Sequence, residues 1–407
     1  MQILLLTQYF APEQFFKGSI FAQELVRQGH RVEVLTGFPN YPGGKLYPGY
    51  RVKFLQRETI DGIDVIRVPL YPSHDSTAFR RMANYLTFAI SSALIGPWVV
   101  TKPDVIYAFH GHATVGLPAW VIGLTRRAPF VLDVQDLWPD TVVASGMLPR
   151  WLKPIIPVLE WWCRFIYRRA AKIAVLSKGF KETLVSRGVP ESKIQVIPNW
   201  ADEVQVQTGA LDPSEEALLT GKFNIVMAGN MGTLQGLDVV LDAAAVLATQ
   251  QPGAQFVLVG SGVEQPRLEQ RVSSLGLTNV LFLPRRPLNT IGFLLNRADA
   301  LLVHLKDDPL FKITIPSRIQ SYLAVGRPIL CGVRGNGTEM VQEAGAGLCF
   351  EPDDAAGLAE AVKTLCRMTA ESRGDLGDRG KQFYFKKLSL PVGVGAFVDL
   401  FEQARSV

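Results

Sequence analysis

Residues Ile225–Ala244 read IVMAGNMGTLQGLDVVLDAA. A short apolar run leads into a turn and then into a segment whose apolar residues recur at helical spacing, which predicts a strand, a turn and a helix. In the turn, Asn230 and Gln235 can donate hydrogen bonds to a phosphate. Three further residues let a ligand approach the backbone closely: Gly229, Gly232 and Gly236.

The same alternation of apolar runs and helical segments continues in both directions, as expected for buried parallel strands with crossover helices. A polar stretch, residues 203–222, separates two such series. We therefore predict an α/β fold of two doubly wound parallel-sheet domains, residues 1–202 and 203–389, that face one cleft. The predicted strands are Ile3–Leu6, Arg31–Thr36, Gly62–Val68, Val105–Phe109, Phe130–Val134, Lys172–Leu176, Gln195–Ile197, Asn224–Ala228, Phe256–Val259, Val280–Phe282, Ala300–Val303, Pro328–Cys331 and Leu348–Phe350.

Composition narrows the class of protein. The chain has 407 residues, of which 48% are hydrophobic and 19% charged, and its net charge is +5. This charge, without a run of basic residues, gives no indication of nucleic-acid binding. Four scattered cysteines show neither metal spacing nor a disulfide framework, which favours a reducing compartment. The apolar run Met1–Leu6 lacks a preceding cationic segment and predicts a buried strand rather than a signal peptide.

Two segments are unusual for core helices. Met82–Thr101 carries no charge and is flanked by Arg80, Arg81 and Lys102. Arg150–Lys172 mixes three tryptophans with cationic side chains, which is typical of an amphipathic element at a lipid headgroup boundary. We predict that both segments contact a membrane surface. The alternative is a pair of core helices with solvated basic flanks.

Loops after predicted strands in the first half carry polar groups. Gly18, at a helix start, offers backbone N–H groups to an anion, and the alternative is Ser19 as a plain N-cap. His110 and His112 can hydrogen-bond a sugar or a phosphate; a third metal ligand is not apparent, so we predict no metal site. Asp136 follows a strand end, where ligands of such sheets bind.

A second glycine-containing turn, with Gly260 and Gly262, follows a strand in the second half. The stretch His304–Leu330 then runs from a charged loop through a Thr-Ile-Pro-Ser turn into a helix that ends at Gly326. Two glycine turns together with this loop predict a nucleotide site. The charged and polar candidates in the loop are Lys306, Asp307, Asp308, Lys312, Ser317 and Arg318.

The ordered motifs resemble those of the retaining glycosyltransferases of family 4. The matching segments are YFAPE, ELVRQGHRVEVLTG, DVIYAFHGH, VQDLWPD, AVLSKGFKETLVSRGVPESKIQVIPNWAD, GNMGTLQGLDVVLDAA, VLVGSG, YLAVGRPIL and GTEMVQEAGAGLCFEPDD. The motifs QDLWPD and KDDPLFKITIPS resemble those of a bacterial, fucosamine-transferase-like subgroup of the family. That subgroup builds surface polysaccharide and O-antigen units.

The resemblance implies the GT-B fold, with a nucleotide-diphosphate sugar in the C-terminal domain and an acceptor in the N-terminal domain. It implies transfer with retention of anomeric configuration and without an obligatory metal, and a UDP-sugar is the expected donor. Asn199, within the matched VIPNWAD, is expected to contact this donor. A final helix, Val394–Arg405 within residues 390–407, is expected to cross back onto the first domain.

Two family positions differ in this chain. Where the family commonly has Arg and Lys in the glycine-rich turn, this chain has Asn230 and Gln235. Where the family commonly has two glutamates, counting back from Gly326 finds Ile313 and Ser321. Neither of these can do the work of a carboxylate.

We hypothesise that the charged loop compensates. Asp307 or Asp308 would replace the first glutamate, because counting forward from Asp299 places that glutamate at Asp308. Ser317 would add a phosphate contact at a helix N-terminus, and fixed positive charge would stabilise the leaving diphosphate. The candidates that would restore the lost cation are Lys306, Lys312 and Arg318.

On the acceptor side, Asp136 is predicted to orient or deprotonate the acceptor hydroxyl, with His110 and His112 as further sugar contacts. The predicted activity is transfer to a polyprenyl-diphosphate-linked saccharide by a protein peripheral to the cytoplasmic face of the inner membrane. One alternative is a non-hydrolysing nucleotide-sugar epimerase. Another alternative is an inactive partner that binds sugar nucleotide. The absence of both glutamates is compatible with this alternative.

Overall fold

The chain divides into two compact units. In this computed structural model, unit 1 comprises Met1–Pro198 and Gly393–Val407, and unit 2 comprises Asn199–Val392. The described residues are 1–13, 15–73, 78–144, 154–206 and 209–406.

Unit 1 is built on one sheet with the strand order β3-β4-β2-β1-β5-β6-β7-β8. All neighbouring strands are parallel except β3 and β4. The winding direction reverses between β1 and β5, and ligands of such sheets bind beyond the carboxyl ends of the strands at that switch point. The strands are β1 (Gln2–Leu6), β2 (Arg31–Gly37), β3 (Gln56–Ile60), β4 (Ile63–Val68), β5 (Val105–His110), β6 (Phe130–Val134), β7 (Lys172–Val175) and β8 (Ile194–Val196). The helices that accompany them are α1 (Ser19–Arg27), α2 (Ala78–Val99), α3 (Gly116–Arg126), α4 (Asp140–Ala144), α5 (Ile156–Arg169) and α6 (Lys178–Ser186).

Unit 2 has a fully parallel sheet with the strand order β11-β10-β9-β12-β13-β14. Its switch point lies between β9 and β12. The strands are β9 (Phe223–Asn230), β10 (Ala254–Ser261), β11 (Val280–Leu283), β12 (Ala300–His304), β13 (Ile329–Gly332) and β14 (Gly347–Cys349). The helices are α7 (Pro213–Leu219), α8 (Asp238–Gln250), α9 (Gln265–Ser274), α10 (Leu288–Arg297), α11 (Pro309–Lys312), α12 (Ser317–Val325), α13 (Asn336–Ala344), α14 (Ala355–Arg367) and α15 (Ala370–Lys387).

The central strands form because their apolar runs are covered on both faces. Every residue of β5 and β6 is buried, as is every residue of β10 except the last, and β9 is buried over residues 224–227. Each fully buried Val, Leu or Ile side chain contributes about 1.5–3 kcal/mol of transfer free energy. These runs therefore dominate the hydrophobic stabilisation of the two units.

The predicted strands are confirmed to within two residues at each end, and the structure adds elements that were not predicted, among them β3, α7 and the short helix α11. The strand β3 reads QRETI and alternates between half-buried and exposed positions, so it lacks a continuous apolar run. It pairs antiparallel with β4, which corrects the prediction of purely parallel sheets. The stretch 203–222, predicted as a plain connection, contains α7.

The last helix, α16 (Leu390–Arg405), returns the chain to unit 1. Phe397 packs its ring on Phe21 of α1 and on Tyr107 of β5, with ring centroids 5.4 and 5.5 Å apart. The predicted return of this helix to the first domain is thus confirmed, and a packed aromatic cluster holds it there.

The two segments predicted to contact a membrane coincide largely with α2 and α5. Residues 150–153 of the second segment, which include Trp151, lie outside the described residues. Over the described ranges, no helix combines the length and the apolar character needed to cross a bilayer.

Candidate functional site

The glycine-rich turn after β9 is held against Arg318 of α12. Gly229 has a φ of +133°, and a Cβ atom there would lie 2.6 Å from Nη2 of Arg318. The same Nη2 donates a hydrogen bond to the backbone oxygen of Asn230 (2.9 Å), 88 residues away in sequence. Burial lowers the pKa of the guanidinium, which remains charged at physiological pH. One predicted cation is thus placed at the predicted turn.

Lys306 lies at the other end of the same turn. Its backbone N–H donates to the oxygen of Leu234 (3.0 Å). Gly236 has a φ of +56°, and a Cβ atom there would lie 2.9 Å from Cγ of the lysine. Arg318 and Lys306 therefore contact the two ends of the turn, and their role as its replacement cations stays a prediction.

His304, the last residue of β12, supports this arrangement. Its Nδ1 hydrogen-bonds the oxygen of Gln235 (2.7 Å), and its Nε2 accepts from the N–H of Asp353 (3.0 Å). Because Nε2 accepts, Nδ1 carries the proton and the ring is neutral, and burial lowers its pKa. Sequence reasoning missed this role, although a polar residue that ends an apolar strand is a usable signal.

The two adjacent aspartates have different surroundings. The Asp307 carboxylate pairs with Arg334 (2.6 Å) and Lys312 (3.6 Å). The Asp308 carboxylate instead accepts from the N–H of Leu310 (2.8 Å) as the N-cap of α11. Asp307 therefore belongs to a charge network, whereas Asp308 has a local structural contact. Arg334 was not predicted, because it lies in a loop of unremarkable composition after β13.

The remaining donor-side candidates are placed as follows. A Cβ atom at Gly262 would collide with the backbone oxygen of Met231, so the two glycine turns touch. The side-chain oxygen of Gln235 accepts from the N–H of Gly232 (2.9 Å) and shapes its own turn. Ser317 is the exposed first residue of α12. Asn199 is half-buried at the start of unit 2, and its donor contact stays a prediction.

In unit 1, the loops after β5 and β6 are joined to each other. The N–H of Gln135 donates to the oxygen of His110 (3.2 Å), and Nε1 of Trp138 donates to the oxygen of Gly111 (3.3 Å). These bonds place Asp136 beside the histidine loop, as expected for neighbouring strands that end at the same edge.

Asp136 has no hydrogen bond or ion pair within the described part of the chain. Burial raises the pKa of its carboxyl group to about 6. Its charge also acts on Tyr85 of α2, whose pKa is raised mainly by burial. An unpaired carboxylate that titrates close to neutral pH can orient a hydroxyl group or accept its proton.

Both histidines of the loop are buried and neutral. The His112 ring stacks on Tyr85 with centroids 4.3 Å apart, and its Nδ1 is 2.7 Å from the hydroxyl of Thr114. Burial lowers the pKa of His112 to about 3 and that of His110 to about 4. Neither ring nitrogen of His110 has a hydrogen-bond partner among the described residues.

The loop after β1 is anchored by an ion pair that sequence reasoning missed. Lys17, completely buried, contacts the carboxylate of Asp133 on β6 at 2.6 Å, across 116 residues. Tyr107 donates to the same carboxylate (2.6 Å). Gly18 follows as the buried N-cap of α1, and no side chain caps that helix. The pair fixes the loop, because separating its partners would leave a buried charge.

Comparisons with known proteins agree with this architecture. Residues 21–200 match the model of the glycosyl transferase 4-like domain, and residues 211–383 match that of glycosyl transferases group 1. The crystal structure of Anabaena Alr3699/HepE in complex with UDP has a TM-score of 0.68 and 16% identity, covering 98% of this chain and 99% of that one.

Two curated relatives are bacterial glycosyltransferases. The putative colanic acid biosynthesis glycosyl transferase WcaI of Escherichia coli is 26% identical over 380 residues, 89% of this chain and 91% of that protein. The probable glycosyltransferase WbjE of Pseudomonas aeruginosa is 26% identical over 254 residues, 60% of this chain and 62% of that protein.

Two Rossmann-like α/β domains, each with its polar loops at a switch point, define a protein of the GT-B fold. The chain belongs to the glycosyltransferases, with a 4-like domain in its first half and a group 1 domain in its second.

Proposed function

We propose that this glycosyltransferase moves a sugar from a UDP-sugar, with retention of anomeric configuration, to a polyprenyl-diphosphate-linked saccharide in bacterial surface polysaccharide synthesis. Unit 2 binds the donor and unit 1 binds the acceptor. The observation that carries the proposal is the contact of Arg318 with the glycine-rich turn at the switch point of unit 2.

The chemistry explains why that contact matters. As the bond between sugar and phosphate breaks, negative charge grows on the leaving diphosphate and the sugar acquires oxocarbenium character. Only groups that bind this state better than the ground state accelerate the step. Arg318 and Lys306 supply permanent positive charge to a turn whose own side chains, Asn230 and Gln235, are neutral. Asp307, held between Arg334 and Lys312, is the carboxylate proposed to position sugar hydroxyls.

Asp136 serves the acceptor in this proposal. With its pKa raised to about 6 by burial, its carboxylate is ionised at neutral pH yet able to take a proton. It orients the acceptor hydroxyl, and the leaving phosphate is the other available proton acceptor. His112, stacked on Tyr85, adds a neutral surface for a sugar ring.

Three further observations support the finer parts of the proposal. HepE has been solved with UDP and with UDP-glucose, and WcaI carries colanic acid biosynthesis in its name. Trp98 of α2 is 84% exposed and Trp161 of α5 is 63% exposed. Exposed tryptophans beside arginines favour a peripheral position at the cytoplasmic face of a membrane.

Titration calorimetry with UDP, followed by transfer assays, tests the proposal. We expect Arg318→Ala to lower turnover about 100-fold and Lys306→Ala about tenfold, because each removes charge from the leaving group. Lys386→Ala, at an exposed lysine of α15, is the matched control and should behave as wild type.

Each competing activity has its own signature in the same assays. Conversion of the donor without any acceptor would indicate an epimerase. UDP binding without turnover would indicate an inactive partner. Unchanged kinetics in both Arg318→Ala and Lys306→Ala would refute the idea that these cations replace those of the turn.

A further inference from the structure

Two free cysteines of unit 2 lie opposite each other on neighbouring strands. Cys331 of β13 is the register partner of Cys349, the last residue of β14, although the helix α13 separates them in sequence. Both side chains pack on the same one of the apolar clusters that flank the sheet. Because successive side chains of a strand point to opposite faces, a shared register and a shared face place the two thiols side by side.

The two thiols differ in access and in acidity. Cys331 is buried, whereas Cys349 is half-buried at the edge of the sheet. A hydrogen bond from the Cys331 thiol lowers the pKa of Cys349, and the same contact, together with burial, raises the pKa of Cys331. Since the thiolate is the reactive form, Cys349 is suited to attack an oxidant and Cys331 to react with the product.

The other two cysteines lack these properties. All four cysteines lie within the described residues. Burial raises the pKa of Cys163 to about 12, and it also raises the pKa of Cys366. Both thiols are therefore less ionised than an ordinary cysteine, which makes them slower to react with an oxidant.

The spacing of the strands makes a disulfide possible but strained. Neighbouring strands lie roughly 4.7–4.9 Å apart, whereas the Cβ atoms of a disulfide lie roughly 3.5–4.5 Å apart. Forming the bond therefore requires β14 to approach β13. The strand β14 has three residues and lies at the edge of the sheet, so it can move without breaking a second ladder. A strained disulfide is readily reduced, as a reversible modification requires.

The residues that follow both cysteines contact the donor-side network. The ring of Phe350 stacks on His304 with centroids 6.2 Å apart, and a Cβ atom at Gly332 would lie 2.5 Å from the Phe350 ring. His304 in turn hydrogen-bonds the glycine-rich turn. Glu351 pairs with Arg334 (2.7 Å). A shift of β14 would therefore displace both the ring that supports the turn and a member of the charge network.

We propose that Cys331 and Cys349 form a reversible disulfide, with a peroxide as oxidant, and that this bond weakens donor binding at the glycine-rich turn. The effect on the donor rests on the proposed function, whereas the bond itself does not.

The reaction balances in two steps. The Cys349 thiolate attacks one oxygen of hydrogen peroxide, the O–O bond breaks, and hydroxide leaves to take up the proton that the thiol had released. The sulfur of Cys331 then attacks the resulting sulfenic acid, the S–S bond forms, and water leaves with the second proton. The thiols are oxidised by two electrons and the peroxide is reduced to two waters. A small dithiol reverses the change by thiol–disulfide exchange.

Peptide mapping and calorimetry on the full chain test the proposal. Reduced protein is treated with a stoichiometric amount of hydrogen peroxide, its remaining thiols are blocked, and its linked peptides are identified by mass spectrometry. We expect a linkage between Cys331 and Cys349, a fall in UDP affinity of about tenfold, and full recovery with dithiothreitol.

Three variants make the test specific. Cys349→Ser and Cys331→Ala should each bind UDP as reduced wild type does and should not respond to the oxidant. Cys349→Ser alters a half-buried side chain and so does not depend on tolerance of a change in the core. Cys366→Ser, at another half-buried cysteine, is the matched control and should respond as wild type does.

Two results would overturn the inference. Oxidation of Cys349 to the sulfinic acid while Cys331 stays free would mean that the thiols do not combine. A mapped disulfide with unchanged UDP affinity would mean that the bond does not act on the donor site. Failure of the reduced wild type to bind UDP would refute the proposed function instead, and the two failures are distinguishable because the peptide mapping requires no UDP.

Discussion

The loops at the two switch points differ in how their polar side chains are buried and charged. In unit 1 the polar groups are withdrawn from water: burial lowers the pKa of His112 to about 3 and raises that of Asp136 to about 6. In unit 2 Lys306, Asp307 and Arg334 are exposed and charged. The first loop controls protonation, whereas the second places permanent charge.

This difference matches what each half of a glycosyl transfer requires. A hydroxyl nucleophile needs a partner whose protonation state can change near neutral pH. A leaving diphosphate needs positive charge and N–H donors that never change. Under the proposed function, one sheet architecture supplies both, because burial decides the first property and the choice of side chains in an open loop decides the second.

The strongest test of the comparison is Asp136→Asn. Removing the carboxylate should lower kcat/KM about 100-fold. In wild type kcat/KM should rise with pH through an apparent pKa near 6. A variant that keeps full activity would exclude any role for this carboxylate in the reaction.

The same variant should be more stable than wild type at pH 7.5. The pKa of Asp136 rises from 3.8 to about 6 on folding, so the unfolded chain loses its proton first and wild-type stability falls as pH rises between these values. Roughly two pKa units correspond to at most about 3 kcal/mol. Denaturant unfolding should show this advantage shrinking from pH 7.5 to pH 5; a constant difference would argue against it.

Gly262→Ala examines the glycine turns of unit 2, where backbone geometry rather than protonation is tested. The added methyl group would meet the backbone of Met231 and must displace one glycine turn from the other. We expect UDP affinity to fall about tenfold, measured by calorimetry. Gly253→Ala, where nothing lies within 4 Å of the new Cβ atom, is the control and should bind UDP normally.

The smallest expected effect separates the two aspartates of unit 2. Asp307→Asn should lower kcat/KM by at most about tenfold, because it breaks the charge network of this residue. Asp308→Ser preserves the N-cap of α11 and should leave kcat/KM within about twofold of wild type. The reverse outcome, a loss in Asp308→Ser alone, would reassign the carboxylate of the donor site to Asp308.

Sequence patterns predicted the strands well because a strand covered on both faces must be apolar throughout. The strand β3 escaped prediction because its exposed edge position permits QRETI. Arg318 and Lys306 both contact the turn, and the hypothesis that they supply its missing cations stays a prediction. The Lys17–Asp133 pair was not predictable, since nothing local to either residue specifies a partner 116 positions away.

The sequence by itself determined the alternation of strands and helices, the two-domain class and the positions of the polar loops after the strands, because these follow from local periodicity and from glycine at turns. Only the tertiary structure decided which carboxylates form ion pairs and which have a structural role. Asp308 caps a helix, whereas Asp307 pairs with Arg334 and Lys312, and Asp136 remains unpaired within the described chain. The physical reason is that burial and long-range contact set the energy of a charge, and neither is encoded in its neighbours along the chain.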